Sequence, residues 1–459
     1  MTLAEELAAR ISAFSYEDLP PEAVHWAKIG VIDTLGVALA GAGEECARIV
    51  RRLVAGSSGP ALLLGSSATA APLDAALANG TAAHALDFDD CSDSLGGHPS
   101  SPILPALFAL ADTHARTGRA FLTAYVAGFE TETRIARAVQ FHHYEKGWHP
   151  TATVGTFGAA AASAHFLDLD AEKTALALAL AASFASGIKA NFGTMTKPLH
   201  IGHAARNGLF AALLAREGFT AAPEVFEHPQ GFFGVFNGEG NFDATRVLEN
   251  WAAPLDILRP GIAIKQYPCC GSTHPAIDVM IALRERHGLT PEKVARVESW
   301  THPRRLAHTN RPAPRSGLEA KFSVQYCLAR ALAAGRVVLG DFAGDAWRAP
   351  ANRAIMARIE ATAHPEMTMA TTQHFGAELH VHLHGGETLA LATDRPLGRG
   401  PDKPLPLPLL EAKFLDCAAH VLAEPEAKRL LARLWHLDED EHFSLRAALA
   451  ADQAAQAAE

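Results

Sequence analysis

Residues 72–118 read PLDAALANGTAAHALDFDDCSDSLGGHPSSPILPALFALADTHARTG, which is two alanine-rich helical runs joined by a polar loop. The loop contains Asp87, Asp89 and Asp90, with His84 before it and His98 near its end. A Gly-Gly pair directly before the second histidine frees the backbone there. Carboxylates and imidazoles in one glycine-containing loop are typical of a site that moves protons at neutral pH. The alternative interpretation is an ordinary polar loop between helices.

The composition indicates a globular protein with room for more than one domain. The chain has 459 residues, of which 49% are hydrophobic and 20% are charged, and this length allows two or three domains. The formal net charge is -10, and the lysines and arginines are scattered. That charge argues against nucleic acids and anionic membranes as partners. A small anionic substrate stays compatible, because a local pair of lysines can outweigh the average.

The chain shows no sign of secretion. Its start, MTLAEELAARISAFSYEDLPPEAV, lacks the basic region and apolar core of a secretory signal. The apolar runs are broken by Asp, Arg, Glu or His, so we expect no helix able to span a membrane. Six cysteines without a CxxC motif predict neither a disulfide framework nor a zinc ribbon. We therefore expect a cytoplasmic protein with reduced thiols.

Hydrophobic periodicity predicts a mainly α fold with a smaller α/β domain. The pattern is helical up to Gly218 and rich in small residues, which allow helices to approach closely. Beyond Pro260, VARVESWTHP and GAELHVHLHGGETLALATD alternate apolar and polar residues, and the second run predicts a β-hairpin. FSVQYCLARALAAG and ANRAIMARIEAT, between them, are helix-like. We expect a helical domain over residues 1–260, an α/β domain over 261–396, and a C-terminal return to the helical domain over 397–459.

Two lysines lie in proline-flanked segments that suit anion binding. Lys197 belongs to TKPLH, before a predicted helix, and Lys265 belongs to IKQYP. A lysine is a point-charge partner for a carboxylate, and the N-terminus of a helix adds to that attraction. Together they would clamp a di- or tricarboxylate. The alternative for either one is an ordinary surface lysine.

Among the histidines that precede a proline, three are candidates for the site, namely His98, His149 and His274. The proline favours an extended backbone at the histidine, so the ring would be held by a loop rather than a helix face. An imidazole titrates near neutrality, which suits acid–base chemistry. The three pairs, taken with the lysines, favour one shared site over three separate structural roles.

Residues His380, His382 and His384 alternate along one predicted strand and therefore share a face. A zinc or nickel site is conceivable there, but no acid or cysteine at ligand spacing completes a set, which favours the solvent face of a hairpin. The sequence also lacks GxxxxGK[ST], GxSxG and HExxH. These absences weaken the ATPase, serine-hydrolase and zinc-protease hypotheses.

Four runs together resemble the MmgE/PrpD family: HALDFDD…HPS…LPA, TKPLHIGHAARNG, KQYPCCGSTHPAID and EAKFSVQYCLARALAAGRV. The family includes 2-methylcitrate dehydratase, cis-aconitate decarboxylase and iminodisuccinate epimerase, and the resemblance extends over nearly the whole chain. It implies a homodimer with a large all-helical domain built from both chain ends and a smaller α/β lid domain. It also implies that the enzyme needs no metal or organic cofactor.

The resemblance also assigns roles to single residues. It marks as site-lining the residues Asp87, His98, His149, Lys197, Lys265, His274 and Tyr326. We expect catalytic roles for Asp87, His98, Lys197 and His274, and substrate-binding roles for Lys265, His149, Tyr326 and Cys91. The decarboxylase has threonine at the position of Cys91, and here the loop from Cys91 to His98 is one residue longer. Substrate contacts are therefore expected to differ in this loop.

The shared chemistry of the family is proton transfer at a carbon next to a carboxylate, which develops enolate-like charge. In this hypothesis His98 is the principal acid or base and Asp87 orients it, while Lys197 and Lys265 bind carboxylates and His274 acts from the other face. The prediction is a cofactor-independent lyase of the dehydratase type, or an epimerase, acting on a small polycarboxylate. Two alternatives are an inactive helical scaffold that retains the fold and, less favoured, a metal hydrolase that uses the histidine strand.

Overall fold

The structure is a computed structural model that describes residues 1–368 and 376–450. Contacts divide the chain into two compact units. The helical unit comprises Met1–Ile264 and the chain from Leu407 onward, and the α/β unit comprises Lys265–Pro406. The sequence predicted the two boundaries after residues 260 and 396, whereas the contacts place them after residues 264 and 406.

The first part of the helical unit is a succession of helices with very short strands between them. The helices are α1 Leu3–Ala13, α2 Pro21–Gly41, α3 Glu45–Leu53, α4 Pro72–His84, α5 Ser100–Ala111, α6 Gly118–Val139, α7 His142–Lys146, α8 Pro150–Thr153, α9 Gly155–Phe166, α10 Ala171–Phe184, α11 Thr196–Arg216 and α12 Phe232–Asn237. The strands are β1 Ala61–Leu62, β2 Thr69–Ala70, β3 Cys91–Ser92 and β4 Ile262–Ala263. They pair as β1–β2 and β3–β4, both antiparallel, so this unit is mainly but not wholly helical.

The α/β unit is built on a four-stranded mixed sheet with the order β6-β5-β7-β8. Its elements are α13 His274–His287, β5 Val294–Thr301, α14 Pro303–Thr309, α15 Gly317–Lys321, α16 Val324–Ala334, α17 Pro350–Met356, β6 Ile359–Ala363, β7 Ala377–Leu383 and β8 Thr388–Thr393. Strand β5 runs parallel to β6 and antiparallel to β7. The hairpin predicted from the alternating run is confirmed as β7–β8, with Leu379 opposite Leu391.

One prediction in this unit was wrong. The run ANRAIMARIEAT was expected to be helical throughout, but the helix ends at Met356 and Ile359–Ala363 forms strand β6. The side chains of Ile359 and Ala361 are buried while Glu360 between them is exposed, which is the period of two of a strand. A short alternating segment directly after a helix is easily read as its continuation.

The C-terminal helices complete the helical unit, as the sequence predicted. They are α18 Leu407–Ala418, α19 Glu424–Trp435 and α20 Leu445–Ala450. Both α18 and α19 pack against α2. The last and first parts of the chain therefore share one core.

Helix α2 corrects the expectation about membrane-spanning segments. Pro21–Gly41 is long and apolar enough to cross a membrane by length and composition, but 89% of its most apolar window is buried inside the structure. It starts with proline at its first position, where the missing N–H costs little. Helices pack around it on all sides, so its all-round apolar character is that of a core helix.

Two glycines set the distance between the helices that carry the candidate site. A Cβ on Gly80 of α4 would lie 2.9 Å from the Cα of Gly202 on α11. A Cβ on Gly202 would lie 2.3 Å from the carbonyl oxygen of Leu77. Glycine at both positions allows the two backbones to touch. The C-terminus of α4 and the N-terminal half of α11 are thereby held together.

A buried histidine fastens three short helices and makes stability depend on pH. His143 on α7 is 1% exposed, its Nδ1–H donates to Asn237 of α12 at 2.9 Å, and its Nε2 lies 2.7 Å from the hydroxyl of Thr153 on α8. Burial lowers the pKa of His143 from its ordinary 6.5 to about 4. Between these two values the unfolded chain binds a proton that the folded chain does not. The stabilisation is thus complete above pH 6.5 and is lost as the pH falls towards 4.

We predict that His143→Gln flattens the pH dependence of stability. Between pH 7 and pH 5 the free energy of unfolding of the wild type should fall by about 2 kcal/mol more than that of the variant, because only the wild type has this proton to take up on unfolding. Urea titrations at both pH values measure the difference. The exposed His420, changed to Gln, is the control and should behave as the wild type. Equal pH dependence in wild type and His143→Gln would contradict the assignment.

Candidate active site

The acid loop, residues 85–99 between α4 and α5, is held at both ends and in the middle. Helix α4 ends at His84, and α5 begins at Ser100. Between them, Cys91 pairs with Ala263 across the β3–β4 ladder, and Ser92 forms an isolated bridge with Gly97. The loop is therefore a folded element with a defined position for each side chain.

Asp89 bridges two histidines in the interior of the helical unit. Its carboxylate lies 2.8 Å from Nδ1 of His84 and 3.3 Å from Nδ1 of His98. The two imidazole rings meet edge to face with their centroids 4.6 Å apart. The side chains of His84 and Asp89 are completely buried. One acid thus orients both rings, a role that the sequence analysis did not assign to Asp89.

The protonation states of this pair follow from burial and proximity. Burial lowers the pKa of His84 to about 4, against the attraction of Asp89, so His84 is a neutral imidazole that donates its Nδ1–H. Burial alone would raise the pKa of the Asp89 carboxyl, but the two adjacent histidines outweigh it and hold that pKa well below its usual range. Asp89 is therefore a carboxylate that accepts from both rings.

Asp87 joins the lysine and the second histidine. Its Oδ1 lies 2.7 Å from the ammonium nitrogen of Lys197 and 3.5 Å from Nε2 of His98. Lys197 lies in the first turn of α11, whereas the sequence placed it just before that helix. The side chains of His98, Asp87 and Lys197 are 12, 15 and 16% exposed, in contrast to buried Asp89. Asp87 therefore contacts both the cation and the imidazole, and all three side chains are partly exposed.

His149 lies beside this cluster and brings a further histidine with it. Its ring is 5.8 Å from that of His84 and 4.8 Å from that of Phe192. Its Nδ1 is 3.3 Å from Nδ1 of His200, which lies one helical turn after Lys197 on α11. Burial, with Lys197 and the neighbouring histidines, holds the pKa of His149 well below its usual range. The sequence prediction missed His200, although its place in TKPLH, three residues after the lysine, is a helix-spacing signal.

Asp90 and Cys91, which are adjacent in the acid loop, face different surroundings. The thiol of Cys91 lies 3.9 Å from Nδ1 of His98, within the candidate site. Asp90 instead accepts from the backbone N–H of Ser100 at 3.3 Å and contacts its hydroxyl. Burial, reinforced by Asp33, raises the pKa of Asp90 well above its usual range, which favours the neutral carboxyl. Asp90 therefore fastens the start of α5.

The remaining predicted site residues lie in the α/β unit. Lys265 is its first residue and is buried. His274 donates from Nε2 to the carbonyl of Cys269 at 3.2 Å. It is the first residue of α13, so the expected extended loop position was wrong for this histidine, because the following proline occupies the first turn of a helix. Its catalytic role and the binding role of Lys265 stay predictions.

Tyr326 is part of the core of the α/β unit. Its side chain is completely buried, and its hydroxyl donates to the carbonyl of Asp341. Burial raises its pKa. Substrate binding by this hydroxyl would require that contact to change, and the predicted role stays a prediction.

The histidine strand pairs with acids on the face of the sheet. His380 Nε2 lies 2.8 Å from Glu378, and His382 Nε2 lies 3.4 Å from Glu298 on β5. The histidine side chains are 26 and 27% exposed. These contacts with acids fit the solvent-facing hairpin that the sequence favoured over a metal site.

The acid cluster contains a donor set that could hold a metal ion. One ligand atom from each of His84, Asp87, Asp89 and His98 lies within 4.8 Å of all the others, which a transition metal could use. These donors already contact one another, and Asp87 also contacts the Lys197 ammonium. Hydrogen bonds and one ion pair therefore account for the geometry of these side chains.

Comparison with known proteins gives matches over almost the whole chain. The MmgE/PrpD N-terminal domain matches residues 5–245 and the MmgE/PrpD C-terminal domain matches residues 267–438. Cis-aconitate decarboxylase of Homo sapiens is 30% identical over 457 residues, covering 97% of this chain and 93% of that protein. Cis-aconitate decarboxylase of Aspergillus terreus is 25% identical, covering 93% and 91%. Mitochondrial 2-methylcitrate dehydratase of Yarrowia lipolytica is 22% identical, covering 92% and 86%.

We predict that Asp89→Asn is more damaging to stability than Asp90→Asn. The asparagine has no negative charge to attract the imidazole N–H groups, and its NH2 would face an N–H of His84 or His98, so the change should lower the free energy of unfolding by roughly 1–3 kcal/mol. At position 90 an amide resembles the neutral carboxyl, and the loss should be smaller. Urea denaturation at pH 7 measures both. Equal losses for the two variants would refute the assigned protonation states.

Proposed function

Because the chain belongs to the MmgE/PrpD family, we propose that it is a cofactor-independent lyase that decarboxylates a small unsaturated tricarboxylate such as cis-aconitate. The observation that carries the proposal is the contact of Lys197, Asp87 and His98, a cation, an acid and a base at one point of the helical unit. Similarity to cis-aconitate decarboxylases over more than nine-tenths of the chain supports the choice of substrate.

The reaction needs carbon dioxide to leave one carbon while another receives a proton. The bond to the departing carboxylate breaks, and its electron pair forms a new carbon–carbon double bond. The original π pair moves to the carbon beside a second carboxylate, which takes up enolate-like charge until a general acid protonates that carbon. The site must therefore supply a cation for a carboxylate and a proton donor close to it.

We assign the proton donor to His98. Its Nε2 contacts Asp87 and its Nδ1 contacts Asp89, so two carboxylates stabilise the protonated ring by Coulomb attraction. Asp89 is itself fixed by His84, which limits rotation of the His98 ring. Partial exposure leaves the ring within reach of a substrate carbon.

Lys197 is assigned to the carboxylate that carries the developing charge. Its ammonium is held by Asp87 and lies 5.4 Å from the ring centroid of Phe192. A substrate carboxylate can share this cation with Asp87, and the charge that grows during the reaction strengthens that contact. Neutral His149, beside the cluster, is proposed to give the substrate a hydrogen bond without adding charge.

We predict that Lys197→Met lowers kcat/KM by at least about 100-fold, because the ammonium stabilises charge that is larger in the transition state than in the substrate. Purified protein would be incubated with cis-aconitate, 2-methylcitrate and iminodisuccinate in deuterated water and followed by NMR. Carbon dioxide loss with deuterium at one carbon indicates decarboxylation. Loss of water would indicate a dehydratase, and exchange without loss an epimerase.

Two controls make this experiment decisive. Lys428→Met, on the exposed face of α19, removes a lysine charge far from the acid loop in sequence and should retain full turnover. Full turnover by Lys197→Met would refute the role of Lys197, whereas no reaction of the wild type with any of the three acids would refute the proposed function.

We further predict that His98→Gln affects chemistry more than binding. Glutamine keeps hydrogen-bonding atoms near both carboxylates but cannot transfer a proton at neutral pH, so kcat should fall by about 10²–10⁴-fold with little change in KM. Steady-state kinetics measures the two constants. A rise in KM with unchanged kcat would assign His98 to binding instead.

A further inference from the structure

We propose that Lys413, on the C-terminal helix α18, is a positioning residue that holds the acid loop in its active geometry. The proposal rests on the proposed function, since it states how the groups of that site are kept in place. Lys413 lies 216 positions after Lys197 and belongs to none of the runs by which the chain resembles its family. It acts through the backbone of the loop.

The surroundings of Lys413 fix its ammonium group. The side chain is 5% exposed, and Nζ lies 2.5 Å from Oδ1 of Asp33 on α2. Nζ also donates to the carbonyl oxygen of Phe88 at 2.9 Å and lies 3.9 Å from the centroid of the Phe88 ring. A buried ammonium is tolerated only with such partners, so its position is determined by all of them together.

The carbonyl group that Lys413 contacts lies between two carboxylates of the acid loop. Phe88 stands between Asp87 and Asp89, and its carbonyl belongs to the peptide that leads into Asp89. Asp87 has φ of 53°, a left-handed conformation that non-glycine residues adopt only when their surroundings impose it. A charge-assisted hydrogen bond to Phe88 fixes the following peptide plane. The directions of both carboxylates depend on that plane.

A close helix crossing brings Lys413 to this depth. A Cβ on Gly36 of α2 would lie 3.0 Å from the ring of Phe414 and 3.4 Å from its Cα. The backbones of α2 and α18 therefore approach closely at the residue next to Lys413. Asp33 lies one turn before Gly36 on α2, which places the ion pair at the crossing. Helix α18, where the chain returns to the helical unit, thus places the Lys413 ammonium against the backbone of the acid loop.

A pair of variants distinguishes a positioning role of Lys413 from a purely structural one. Lys413→Met alone would leave the buried Asp33 carboxylate without this ammonium and could act only through stability. Asp33→Asn removes that charge, so Asp33→Asn and Asp33→Asn/Lys413→Met differ in the group that contacts Phe88. The comparison of these two proteins, with the wild type beside them, tests the proposal.

The expected result is a loss of turnover in the double variant. Relative to Asp33→Asn, the double variant should show kcat on cis-aconitate lowered about 10–100-fold, with KM changed less than about threefold. Hydrogen exchange should rise across residues 86–92 and stay unchanged across β7 and β8. Equal kcat in both proteins, or a rise in exchange spread uniformly over the helical unit, would overturn the proposal.

The exchange measurement needs no substrate. If the wild type turns over none of the tested acids, the proposed function fails, while exchange across residues 86–92 still decides whether Lys413 holds the loop.

Discussion

The ion pair between Lys197 and Asp87 joins two segments that are 110 residues apart in the chain. It forms at the first turn of α11, where the helix dipole disfavours a cation and a nearby carboxylate compensates for it. Its distance of 2.7 Å depends on the contact of α4 with α11, where Gly80 meets Gly202. Larger residues there would move the two helices apart and would separate Asp87 from Lys197. The chemistry of the site thus begins with a packing requirement.

Burial then divides similar side chains into different chemical states. His84 and Asp89 are both completely enclosed, yet His84 is neutral and Asp89 is an anion. Burial lowers the pKa of the His84 imidazole, whereas the two adjacent histidines lower the pKa of the Asp89 carboxyl. Asp90, next in sequence, faces Ser100 and Asp33 instead of a histidine, and its raised pKa favours the neutral form. Adjacent carboxyl groups therefore serve opposite purposes, as acceptor for the proton-transfer group and as a neutral fastening of α5.

Much of the architecture could be predicted because long periodic segments report their own environment. Helices α6, α9, α11 and α16 and the β7–β8 hairpin were recognised from apolar spacing. The predictions failed where the pattern was short or uniform. Strand β6 has five residues directly after a helix, so periodicity did not identify it. Helix α2 is apolar on all sides and long enough to cross a membrane, although no such segment was expected.

The sequence by itself determined the helical body, the mixed α/β unit, and the types of residue at the candidate site, because spacing and composition are local properties. It identified Asp87, His98, His149 and Lys197, which the structure brings into one cluster. Only the tertiary structure decided the bridging role of Asp89, the partnership of His149 with His200, and the contact of Lys413 with Phe88. Each of these depends on a distance between helices and on the exclusion of water, and neither quantity is written in the order of residues along the chain.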